Sequence, residues 1–118
     1  MGQSSWAPNT DVYETPQHLI IKMELAGIRK DDLEITLSDR LLTVRGYRKD
    51  NCPHRQTHCS FRQMEIDYGY FERRILMTAP VDAGNAQAHF YNGFLHIELP
   101  KTSRPVASAV TVVIEQIS

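Results

Sequence analysis

The feature that most constrains this chain is its punctuation. Proline or glycine recurs at Pro8, Pro16, Gly27, Gly46, Pro53, Gly69, Pro80, Gly84, Gly93, Pro100 and Pro105, which leaves little room for a long helix. Between those marks apolar residues mostly alternate with polar ones. Leu33, Ile35 and Leu37 share one side of a segment whose other side holds Glu34 and Thr36, the period of two of a half-buried strand. Leu42 and Val44 continue the alternation beyond Ser38-Asp39-Arg40, read as a three-residue turn. Leu33, Leu37 and Leu41 also fall at helical spacing, so a helix is the rival reading there. The polar break and the β-branched residues favour strands.

The clearest turn is Asn92-Gly93, because a tight hairpin needs positive φ at both central residues and this pair supplies it at low cost. It joins residues 87–91 to residues 94–99, and Pro100 ends the second strand. Further strands are expected at 11–14, 18–25 and 70–77, with a last short one near 110–114. Roughly seven to nine strands in one domain predict an all-β protein, an antiparallel sandwich of two sheets that bury their apolar faces against each other.

Composition narrows the function classes. With 118 residues the chain has room for one domain, and 42% hydrophobic with 23% charged residues is a globular balance. Thirteen Lys and Arg against fourteen Asp and Glu give a net charge of -1, so no basic surplus points to nucleic acid or to an anionic membrane. The longest apolar clusters, such as Leu19-Ile20-Ile21 and Val112-Val113-Ile114, are far too short to span a bilayer. Met1-Gly2-Gln3-Ser4-Ser5 lacks the basic and apolar regions of a signal peptide, and two cysteines do not make a secreted disulfide framework. A cytoplasmic location is therefore expected. No Gly-rich phosphate loop, nucleophile elbow or HExxH helix is present, so neither an enzyme nor a cofactor is expected.

Two segments stand apart from the sandwich. Residues 48–67 are long and polar for a hairpin loop, yet hold a weak strand candidate at 59–65; loops of this length usually carry function or are disordered. Residues 101–109 form a polar linker to the apolar terminal strand, which must find an edge or groove on its own subunit or on another.

In order along the chain stand Trp6 and Pro8, Asp11-Val12-Tyr13-Glu14-Thr15, Glu24-Leu25-Ala26-Gly27-Ile28, Asp31-Asp32-Leu33-Glu34-Ile35, Leu42-Thr43-Val44-Arg45-Gly46-Tyr47-Arg48, Tyr68-Gly69-Tyr70-Phe71-Glu72-Arg73, Ala88, and Asn92-Gly93-Phe94-Leu95 through Leu99-Pro100-Lys101. Together these blocks resemble the α-crystallin domain of bacterial and plant small heat-shock proteins. The resemblance implies an immunoglobulin-like sandwich over residues 6–101, a short segment 1–5 before it and a C-terminal extension 102–118. It also implies an ATP-independent holdase that binds partly unfolded proteins, acts as an oligomer of dimers and passes clients to ATP-dependent chaperones. Ala26 stands where the family usually has Pro, and Thr78 where Leu-Pro is common. Only five residues precede Trp6, where the family carries a longer apolar arm; weaker client holding or less complete assembly is the expectation.

By the same resemblance the loop strand pairs with a neighbouring subunit, which places Cys59, Phe61, Met64, Glu65 and Arg73 at a dimer interface, with Glu65 a possible partner of Arg73. The bland alternative for Arg73 is an exposed strand arginine worth about 0 to 1 kcal/mol. The resemblance also implies a C-terminal anchor at Val110, Val112 and Ile114, with Val112-Val113-Ile114 and Val110-Thr111-Val112 as competing registers. Leu33, Ile35, Leu37, Ala88 and Phe90 line the groove it would fill. Cys52, His54, His58 and Cys59 are thiol and imidazole groups of the kind that ligate zinc, but their spacing matches no standard module; a redox-sensitive disulfide is the second reading and ordinary loop residues the first. His89 and His96 lie on opposite strands of one hairpin and could be close, but paired surface histidines on a sheet are usually no more than that. Rival readings are a monomeric CS-domain-like co-chaperone adaptor and a metal- or redox-responsive binding protein centred on residues 52–59.

Overall fold

A computed structural model describes residues 6–50, 54, 59–104 and 109–117. Among the described residues nine strands form two sheets. They are β1 (Thr10–Glu14), β2 (His18–Glu24), β3 (Leu33–Ser38), β4 (Leu41–Arg48), β5 (Gly69–Leu76), β6 (Gln87–Tyr91), β7 (Phe94–Pro100), β8 (Val110–Val112) and β9 (Ile114–Gln116). One sheet has the order β1-β2-β7-β6-β9 and the other β5-β4-β3-β8. Only the β6–β9 pair is parallel.

The alternation read from the sequence decides which side of each strand is buried. Leu19, Ile21 and Met23 of β2, Leu95, Ile97 and Leu99 of β7, and Ala88 and Phe90 of β6 face the other layer's Ile35, Leu37, Leu42, Val44 and Phe71. The residues between them point outward, as a pleat requires. The strand reading of residues 33–44 holds and the helical rival does not: β3 and β4 pair antiparallel with Ile35 opposite Val44. The connection is shorter than expected. Ser38 and Leu41 still pair, leaving Asp39-Arg40 as a two-residue turn with Asp39 at φ 59°.

Asn92 and Gly93 take φ of 53° and 80°, the primed turn their chemistry suits, and join β6 to β7. Gly46 has a different reason. The Phe71 ring of β5 lies across it, and a Cβ at this position would stand 2.5 Å from Phe71 Cε2 and 2.9 Å from Leu33 Cδ2.

Within the single chain the weak strand candidate at 59–65 joins no ladder. A strand needs a partner edge to satisfy its backbone groups, and the one expected for this segment belongs to a neighbouring subunit. The expected terminal strand is also revised. It divides at Val113 into β8, which pairs with β3, and β9, which pairs with β6.

Candidate assembly surfaces

The C-terminal strand pair closes one side of the sandwich. In β8, Val112 lies opposite Ile35 and Val110 opposite Leu37; in β9, Ile114 lies opposite Ala88 and Gln116 opposite Phe90. Val112 and Ile114 are each 6% exposed and Val113 is 82% exposed. That pattern is the period of two applied to Val112-Val113-Ile114: the outer residues share one side and the middle one faces away. Within the single chain Val112 and Ile114 are the buried pair, with Val110 partly buried beside them. Because β3 and β6 belong to different sheets, no single straight strand can pair with both, and the break at Val113 lets the tail serve each edge. Phe90 fixes the far end, its carbonyl accepting from Gln116 Nε2 and from the Ile117 N–H, both at 3.0 Å.

Four of the five residues read as groove lining, Ile35, Leu37, Ala88 and Phe90, lie beneath this pair and are buried. Leu33 does not. It opens β3 opposite Gly46, outside the paired stretch of β8.

The long loop shows a second apolar surface. Phe61, Met64 and Ile66 are 48%, 57% and 67% exposed, and Cys59 is an exposed free thiol. Glu65 accepts a hydrogen bond from Gln63 within the same segment. Arg73 sits on β5 opposite Val44, on the register that faces the sandwich interior, and its Nη1 donates a long 3.5 Å bond to the Pro8 carbonyl. Within one chain Arg73 and Glu65 are therefore not brought together. Cys52 and His58 lie outside the described residues, and His54 lies in a turn. Among the described residues no three His, Cys, Asp or Glu side chains gather as a metal would need.

Two polar arrangements extend beyond the His89–His96 pair read from the hairpin. On the outer face of the four-stranded sheet, Arg45 bridges Glu72 at 3.2 Å and Glu34 at 3.4 Å, while Glu72 also takes Arg74 Nε at 2.8 Å and the Tyr70 hydroxyl at 3.1 Å. These donors, Arg74 first and then Arg45, hold the Glu72 carboxyl below the usual carboxylate range. On the outer face of the other sheet one row crosses all five strands: Asp11 opposite Lys22, Lys22 opposite His96, His96 opposite His89, and His89 opposite Glu115. His89 Nδ1 is 3.1 Å from Glu115 Oε1, so the row ends on the tail strand. His96 stacks on Tyr91 with ring centroids 5.1 Å apart. The signal for both arrangements lay in strand register, which alternation alone does not supply.

A two-sheet sandwich with a long loop leaving one end of β4, and a divided tail strand filling the gap between two sheet edges, defines an α-crystallin-type domain. Residues 11–115 match the Hsp20/alpha crystallin family, and the chain belongs to that family of small heat-shock proteins. It is 33% identical over 94 residues to small heat shock protein C2 of Rickettsia felis, covering 80% of this chain and 60% of that protein. Across the first four curated relatives the matched stretch spans 58% to 68% of their length. Among solved structures, heat shock protein 16.0 of Schizosaccharomyces pombe superposes with a TM-score of 0.76 at 30% identity, covering 87% of this chain and 98% of that one. A small heat-shock protein of Xylella fastidiosa, described as having a distinct high order structure, gives 0.74 at 29% identity, covering 87% and 93%.

Proposed function

We propose that this chain is an ATP-independent holdase that captures partly unfolded proteins in the cytoplasm and works as an oligomer of dimers. The observation that carries the proposal is the tail pair seated on Ile35, Leu37, Ala88 and Phe90. Lifting it uncovers an apolar groove flanked by two unpaired strand edges, a surface that accepts extended apolar segments by backbone pairing and side-chain burial. Another chain's tail could fill it, linking dimers, and so could an unfolded client. Burying one client Val, Leu or Phe side chain yields about 1.5 to 3 kcal/mol, enough for capture without nucleotide. Clients would then pass to ATP-dependent chaperones. Dimers would form through the 59–66 segment, where Phe61, Met64 and Ile66 are already exposed and the chain joins no strand ladder.

The proposal is tested by heating an aggregation-prone enzyme with increasing amounts of the full chain, without nucleotide, and following turbidity. Suppression near equimolar ratio is expected. Full aggregation at a several-fold excess of the chain contradicts the holdase reading.

A further inference from the structure

One side chain holds the neck of the long loop. β4 ends at Arg48 and β5 begins at Gly69, and these two residues form the last pair of their ladder. From there Arg48 reaches across the base of the loop. Its Nε and Nη2 both donate to the Asp67 carbonyl, at 2.8 and 2.6 Å, and its Nη1 donates to the Ala26 carbonyl at 3.0 Å. The guanidinium carbon lies 4.1 Å from the centre of the Trp6 ring and 5.8 Å from that of Tyr68. Trp6 in turn donates its Nε1–H to the Gly69 carbonyl at 3.0 Å and stands edge-on to Phe71, with centroids 5.3 Å apart. One cation thus joins the end of β4, the return of the loop, the turn after β2 and the segment before β1.

The chemistry is particular to arginine. Three N–H groups in fixed directions reach two carbonyls while the flat face packs on an indole, and an ammonium offers neither the fixed directions nor the face. No described carboxylate is needed to explain the placement. The donors are spent on backbone groups of the connections they join, so the side chain sets geometry more than charge.

We infer that Arg48 is a positioning residue for subunit pairing: it fixes the direction in which the loop leaves and re-enters the sandwich, so that Phe61, Met64 and Ile66 meet a second copy of this chain already ordered. This rests on the loop-mediated dimer proposed above. A segment anchored at its neck has less freedom to lose on association, and preorganisation of that kind appears as affinity.

The test uses the full chain, with the dimer dissociation constant from sedimentation velocity and hydrogen exchange read separately on residues 59–66 and on β4–β5. Arg48→Lys should weaken the dimer about 5- to 20-fold, the cost of ordering one or two further side chains. It should speed exchange at 59–66 and leave β4–β5 unchanged. Trp6→Phe keeps a ring beneath the cation and should lose about twofold or less, since a ring face still serves the guanidinium. The double variant Phe61→Ser/Met64→Ser tests the loop contact itself. If that double variant weakens the dimer while Arg48→Lys matches the native chain, the positioning role is wrong and the loop contact stands. If the double variant leaves the dimer unchanged, the loop contact is wrong and the role of Arg48 falls with it. Equal acceleration of exchange across β4–β5 and 59–66 in Arg48→Lys marks general destabilisation and also overturns the role.

Discussion

His96 sits mid-row among Asp11, Lys22, His89 and Glu115, and its environment works against a second positive charge. Partial burial acts first, then the charge of Lys22 and then that of His89, and together they hold its imidazole below the usual range. At pH 8 the ring is neutral folded and unfolded, so the full contribution to stability is present. Below the unfolded value, about 6.5, the unfolded chain takes up a proton that the fold resists, and this contribution is lost as pH falls toward the depressed native value. Urea unfolding at pH 7.5 and 5.5 should therefore show a smaller loss of stability for His96→Gln than for the native chain. An equal loss in both would mean the row does not oppose protonation of His96. On the outer face of the other sheet, Arg45 and Arg74 are both more than two-fifths exposed, and their pairs with Glu72 are screened by water and add little to stability.

At the scale of elements, the tail pair is the most exposed to single changes. β8 and β9 are three residues each, too short to hold by backbone bonds alone, so Val112 and Ile114 carry the docking. Ile114→Ser removes most of one buried side chain, about 2 kcal/mol or more, and places a hydroxyl against Ala88. Hydrogen exchange over residues 110–116 should rise strongly while β2 and β7 stay protected. Unchanged protection over 110–116 would show that the side chains do not hold the tail. How much of this was legible follows from what is local. The alternation of Leu33, Ile35 and Leu37 and the turn at Asn92-Gly93 depend on neighbours in sequence, and both are in place. The division at Val113 depends on where two edges of different sheets fall, and the Arg45 network on the register of three strands; neither distance is written in a local pattern. In sequence Arg48 is only the last residue of a motif, because its partners Trp6, Ala26 and Asp67 become neighbours only in the fold. Residues 59–65 hold strand-like residues yet join no ladder within the chain, because the edge expected for them belongs to a second subunit.

For the whole molecule, the two sheets dispose of their edges differently. On one side of the sandwich the tail covers both β3 and β6. On the other, β1 and β5 are outermost; β1 leaves Val12 and Tyr13 about half exposed, and among the described residues β5 meets the segment before β1 through an isolated bridge from Trp6 and the Arg73 bond to the Pro8 carbonyl. A covered side and an open side suit a subunit that pairs through one and links through the other, provided the tail can leave its own groove for that of a second dimer. Light scattering behind size-exclusion chromatography reads that exchange, comparing the full chain with a version ending at Arg104. If the tail exchanges, the full chain is larger than a dimer and the truncated one falls to the mass of a dimer; the same mass for both rules the exchange out.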